Sequence, residues 1–252
     1  MATLLATLTL VQATDEPHEV TPHQRTPVYE PLARLDALFP TAPATFDFYI
    51  VAQSWQPEFC HGKEAQYPGC TKPQDFWRSH FTMHGIWPEL ATGKHPEFCG
   101  GDPFDVAIID KAIGRDALLE YWPNVKAPES SPEYSDFWRH EWTRHGTCSG
   151  LDQAVYFKAA VDLIRNESRA ITPELVQQNI NRTVSADELR HAFGGHDQPA
   201  VLKCVHGGVL SQVFTCWDKD AENRPTVRRT CPEHTLKEDT CGKSSIFIPA
   251  FP

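Results

Sequence analysis

Residues 45–55 read TFDFYIVAQSW. Phe46, Phe48, Ile50 and Ala52 alternate with Asp47, Tyr49, Val51 and Gln53, and both sets are largely apolar. Period-two spacing with apolar residues in both registers is the pattern of a strand buried on two faces, inside a sheet. Working outward, HFTMHGIWPEL (80–90) opens as a short strand over Phe81–His84, which Gly85 and Pro88 should end. DPFDVAIIDKAIGRDALLEYWP (102–123) has the spacing of one or two helices stopped before Pro123. AVYFKAAVDLIRN (154–166) is an amphipathic helix, and SADELRHAF (185–193) a short one with a Ser185–Glu188 capping box. VLKCVHGGVLSQVFTCWDKD (201–220) reads as strands about a Gly-Gly turn. Helices and strands mix without regular βαβ alternation. The expected class is α+β, a single domain with a central, mainly antiparallel sheet flanked by helices.

The totals bound the problem further. A chain of 252 residues is an ordinary length for one well-cored domain. No apolar run approaches the roughly 20 residues that span a bilayer, so no membrane segment is expected. The formal net charge is −10 with 12 histidines counted neutral, and protonating all of them would carry it to +2. Charge alone disfavours a nucleic-acid partner at neutral pH and much less so in acid. Eight cysteines stand at long spacings with no CxxC pair, which reads as a disulfide framework, although eight cysteines allow 105 pairings. MATLLATLTLVQA (1–13) reads as a short signal peptide, although no Lys or Arg precedes its apolar run. A proline-rich extension follows over 14–43, and the globular part is expected at 44–252. Sequons at Asn166 and Asn181 mark glycosylation candidates and suit a secretory route, to the outside or to a vacuole or lysosome.

The chemistry concentrates in FWRHEWTRHGTC (137–148), where two histidines, a glutamate and two arginines are interleaved with tryptophans. On a helix at about 100° per residue, with His140 at zero, Arg144 falls near about 40°, Phe137 near about 60°, Glu141 near about 100° and His145 near about 140°. Trp138 and Trp142 fall beyond that arc, at about 160° and about 200°, where they can anchor the helix in a core. Ser131 or Ser135 can cap it, and Gly146 stands where a terminating glycine would. Taken alone, such a stripe is more often a solvated helix face than a site. A zinc-protease HExxH motif needs its histidines at i and i+4, whereas these stand at i and i+5.

A second segment tips the balance. FTMHGIWP and HEWTRHGTC together closely resemble the two active-site signatures of the ribonuclease T2 family, the secreted acid endoribonucleases. PFD and YWP within 103–123, YF at 156–157 and CP at 231–232 echo the same family. The resemblance implies cleavage of single-stranded RNA without metal or cofactor, leaving a 2′,3′-cyclic phosphate and sparing DNA, which has no 2′-hydroxyl. It implies His145 as base, His84 as acid, His140 on the phosphate, and Glu141 and Arg144 supporting the transition state. Trp87 would stack on a base, Glu89 would bond a base edge, and Phe137 and Gln53 would serve the second nucleotide. The implied disulfides are Cys60–Cys70, Cys99–Cys148, Cys204–Cys241 and Cys216–Cys231.

Two departures stand out. The family usually has lysine where this chain has Arg144, and commonly aspartate where it has Glu89. Arginine keeps the charge in a bulkier, forked form, so activity is expected to survive. An optimum below neutrality is expected. The helix end and Glu141 should favour imidazolium at His145, with Arg144 opposing. A monomer acting on RNA is the expectation. The rival readings are a catalytically silent binding protein on the same fold, which intact His84, His140, Glu141 and His145 argue against, and a metal-dependent hydrolase.

Overall fold

A computed structural model describes residues 45–165, 172–242 and 244–252. The leader, the extension and the Asn166 sequon lie outside the described residues. From the amino end, β1 (Phe48–Ser54) runs into two one-turn helices, α1 (Gln56–Cys60) and α2 (Pro68–Thr71), and then β2 (Thr82–Glu89). α3 (Val106–Ile113), α4 (Arg115–Tyr121), α5 (Asp136–Arg144) and α6 (Gln153–Arg165) follow without an intervening strand. α7 (Glu174–Gln178), β3 (Arg182–Ser185) and α8 (Ala186–Ala192) lead to the hairpin of β4 (Val201–Val205) and β5 (Val209–Lys219). β6 (Pro225–Arg229), α9 (Glu233–Leu236) and β7 (Ser245–Ile248) complete the chain.

The sheet runs β2-β1-β5-β7-β3, with β4 and β6 also paired to β5. Every pairing is antiparallel except the short parallel contact of β5 with β7. β1 lies between β2 and β5, which explains its two apolar registers. Phe48, Ile50 and Ala52 pack with Val201, Phe214 and the Cys216–Cys231 bridge on one face. Tyr49 and Val51 enter the other, larger core with Trp122, Trp138, Trp142 and Tyr156. The α3–α6 helices form the layer over that second face.

β2 is longer than its sequence suggested, running through Gly85 and Pro88 to Glu89. A proline lacks the N–H a central strand must donate, but β2 is an edge of the sheet, and Pro88 is paired with Tyr49 at no such cost. The register also slips at Ala52/Gln53: Gln53 pairs with Met83 and Ala52 with Gly85, which leaves His84 as the extra residue of a β-bulge.

Four disulfides are present. Cys60–Cys70 joins α1 to α2, Cys204–Cys241 joins β4 to the carboxyl-terminal segment, and Cys216–Cys231 joins β5 to the segment after β6. Cys99–Cys148 closes 49 residues and ties the loop after β2 to the turn after α5. Among the described residues no helix is long and apolar enough to cross a membrane.

Candidate active site

The bulge at His84 shapes the site. In an unbroken strand, residues three apart point to opposite faces. The extra residue puts His84 and Trp87 on one side, with ring centroids 5.2 Å apart, and sends Met83 and Ile86 together into the helix-side core. His84 Nδ1 bonds Gln212 Oε1 of β5 at 3.0 Å. An amide oxygen only accepts, so Nδ1 carries the proton, and Nε2 is turned toward Glu141 Oε1 at 3.7 Å. Gly85 between them has a steric reason: a Cβ there would collide with Glu141 Oε2 and the Trp87 indole nitrogen.

α5 supplies the opposing side. Trp138 and Trp142 anchor it, their indole N–H groups donating to Trp122 O at 2.8 Å and Asp102 O at 2.9 Å. Ser131 caps the single 3₁₀ turn that precedes α5, and Ser135 makes no side-chain cap bond. Gly146 is not a left-handed terminator either: it opens a 3₁₀ turn, and a Cβ on it would strike the Trp142 ring.

The five side chains of the α5 polar stripe are then sorted into different surroundings. Glu141 is 1% exposed, and its Oε2 accepts the Trp87 indole N–H at 3.0 Å. His145, 6% exposed, stacks on Trp87 with 5.2 Å between centroids and 27° between planes. Phe137 and His140 line a cleft of about 640 Å³ that also takes in His84, Glu141 and Gln212. Arg144 is engaged by Glu97, whose Oε1 accepts from Nε at 2.8 Å and Nη2 at 2.5 Å.

Burial dominates the electrostatics. Desolvation raises Glu141 from 4.5 to about 8, against the Trp87 bond and the Arg144 charge. Burial lowers His145 from 6.5 to about 3, helped by Arg144, His140 and His84. His84 is also lowered, by burial first and by His140, Arg144 and Lys126 after it, with the Gln212 bond opposing. The imidazolium expected at His145 from the helix end and Glu141 is therefore reversed. A carboxyl that is itself neutral below about pH 8 offers no counter-charge, and the ring gives up its water.

The base-binding candidates are dispersed. Trp87 is partly buried inside the cluster, with His145 on one face and the Phe214 ring against its edge at 5.2 Å. Glu89 closes β2 at 6% exposure, 3.6 Å from His95, and burial raises it to about 7 with Glu238 and Glu97 adding to the shift. Gln53 is buried within β1 opposite Val213 and Met83, and Phe137 alone of the four borders the cleft beside His84, at 5.6 Å between rings. Sequence reading missed Gln212, Glu97 and the cleft lysine Lys126. No local motif marks them, since Gln212 meets His84 across 128 positions and Glu97 meets Arg144 across 47. Among the described residues no group of three or more His, Cys, Asp or Glu side chains is placed to hold a metal ion.

A half-buried imidazole, His84, and a neutral carboxyl on the cleft, with the buried His145 imidazole behind Trp87 and the Arg144 guanidinium one turn along α5, make a site for acid–base chemistry on an anionic ester. Comparison with known proteins narrows that class. The model of the Ribonuclease T2 family matches residues 46–227. Ribonuclease DdI of Dictyostelium discoideum is 33% identical over 189 residues, covering 71% of this chain and 77% of that protein. Ribonuclease 1 of Arabidopsis thaliana is 36% identical over 218 residues, covering 82% and 87%. The crystal structure of an RNase MC1 mutant in complex with 5′-GMP superposes with a TM-score of 0.62 at 29% identity, over 81% of this chain and all of that one. The chain belongs to the ribonuclease T2 family and is a T2-type endoribonuclease.

Proposed function

We propose that this endoribonuclease cleaves single-stranded RNA by transphosphorylation, without metal, and works best in acid. His145 takes the proton of the 2′-hydroxyl, the 2′-oxygen attacks phosphorus, the bond to the 5′-oxygen breaks, and His84 Nε2 delivers a proton to that leaving oxygen. The products are a 2′,3′-cyclic phosphate and a free 5′-hydroxyl, and DNA is left intact. His140, exposed at the cleft, contacts the phosphate. Glu141 stays protonated and so does not repel it, while Trp87 holds the carboxyl between the two histidines. Arg144 adds positive charge from one turn away. Glu89, Trp87, Phe137 and Gln53 remain the proposed contacts to the bases, with Phe137 the best placed.

The observation that carries this reading is the shared carboxyl: Glu141 touches both His84 and the ring on which His145 stacks. The pKa directions supply the acid preference. His145 is a competent base above about pH 3, whereas His84 holds its proton only below the ordinary 6.5. Acid also protonates exposed histidines and reduces repulsion between RNA and a chain of net charge −10. We place the catalytic domain at 44–252 after a signal peptide over 1–13 and an extension over 14–43. A secretory route for a monomer suits the four disulfides, and Asn181 is an exposed sequon that a glycan could reach. The test is incubation with RNA at pH 5, with and without EDTA, and mass analysis of the termini. EDTA-resistant cleavage to cyclic phosphate is expected; loss with EDTA, or 5′-phosphate products, would overturn the mechanism.

A further inference from the structure

The cleft wall carries a lysine that this chemistry leaves unused. Lys126 lines it together with Phe59, His84, Phe137 and His140. Its backbone is held from both sides. Lys126 N donates to Asn124 Oδ1 at 3.3 Å, Asn124 Nδ2 donates to Tyr134 O at 3.1 Å, and Gly69 N donates to Val125 O at 3.0 Å. The ammonium lies 5.5 Å from the centre of the Phe59 ring, which also carries Lys63 at 4.3 Å. Among the described residues Lys126 forms no ion pair. The two other carboxylates on the cleft wall are engaged, Asp136 with Arg139 at 3.5 Å and Glu133 with the Ser131 hydroxyl. An unpaired cation over an aromatic ring, on a pinned loop bordering an RNA cleft, is suited to a phosphate.

The side of the cleft sets which phosphate. Lys126 and His84 line the same cleft, which His145 does not border, and in the proposed mechanism His84 serves the departing 5′-oxygen. The chain leaving past that nucleotide must carry its next phosphate along the Lys126 wall. We propose that Lys126, backed by Phe59, binds the RNA phosphate on the 3′ side of the departing nucleotide, a second phosphate site separate from the scissile one. The assignment rests on His84 being the acid.

The test compares a dinucleoside monophosphate with the same compound bearing a 3′-phosphate and with one bearing a 5′-phosphate, at pH 5 and low salt. The parent should cleave the 3′-phosphorylated form with kcat/KM higher by roughly three- to tenfold, the size of one charge-assisted contact at a part-exposed site. Lys126→Gln should lose that preference while its rate on the plain dinucleoside stays within about twofold, and Lys126→Arg should keep it. The salt slope of the parent on the longer substrate should fall by about 0.7 in the glutamine variant, as for one phosphate of a single strand. An undiminished 3′-phosphate preference in Lys126→Gln, or an equal loss on both substrates, overturns the site alone. Loss of a preference for a 5′-phosphate instead overturns both the site and the placement of His84 on the leaving-group side.

Discussion

Glu141 and Arg144 share one stripe of α5, yet their surroundings are opposites. Glu141 is shut in between His84 and Trp87, and burial raises it to about 8. Arg144 reaches outward, 38% exposed, to a carboxylate on a loop, Glu97, which is 27% exposed and also lies 3.2 Å from His95. At the first, the loss of water sets the protonation state. At the second, charge is balanced by charge in the presence of solvent, where an ion pair adds little. The contrast teaches that groups on one helix face need not act as one electrostatic unit. In the proposed mechanism the chemistry belongs to the dry half, and the wet half trims the field around it.

The largest effects should come from the dry half. His84→Ala and His145→Ala are each expected to lower kcat by roughly 10²- to 10⁴-fold, the usual share of general acid–base catalysis, with circular dichroism unchanged. A loss under tenfold in either would break the assignment.

Glu141 sharpens the comparison because its neutral form has a close mimic. Glu141→Gln can still accept the Trp87 N–H and should keep activity within about tenfold at pH 5, whereas Glu141→Ala strands that buried donor and should cost about 1–3 kcal/mol of stability as well as most activity. The pH dependence of stability follows from the signs. The folded state keeps a proton on Glu141 up to about pH 8 that the unfolded chain releases near 4.5, so this contribution is full below 4.5 and is lost as pH rises toward 8. His145 runs the other way: its stabilisation is full above 6.5 and is lost as pH falls toward 3. Melting temperatures should therefore peak in mild acid, and Glu141→Gln should flatten the decline on the alkaline side, leaving the share due to Glu89, which ends near 7. An unaltered decline would show that Glu141 is ionised in the folded state.

The smallest effect is expected at the wet half. Arg144→Lys should change kcat/KM by less than about tenfold, since its charge is part-solvated and already met by Glu97. A gain of a hundredfold or more in that variant would mean that a compact ammonium is required there.

Much of this was legible in the residues themselves. The two registers of 46–53 announced a central strand, the helical wheel put Trp138 and Trp142 outside the polar stripe, and Ser185 caps its helix as expected, its hydroxyl accepting from Glu188 N. What escaped was set by pairing between distant segments. The bulge that aims His84 exists only in the register of β2 against β1. The burial that reverses His145 depends on Trp87 lying over it, and the Arg144 contact on a loop 47 positions away. Gly85 and Gly146 read as strand and helix terminators, yet Gly85 is small because Glu141 crosses over it from α5, and Gly146 because the Trp142 ring one turn earlier lies against it.

The central claim, that burial lowers both histidines and so makes the enzyme an acid one, is tested most directly by the pH dependence of kcat/KM on a dinucleoside monophosphate, which reports the free enzyme's groups. The expected profile is a bell whose acid limb lies near pH 3 and whose alkaline limb falls below the ordinary histidine value of 6.5. A rate still rising at pH 8 would contradict it.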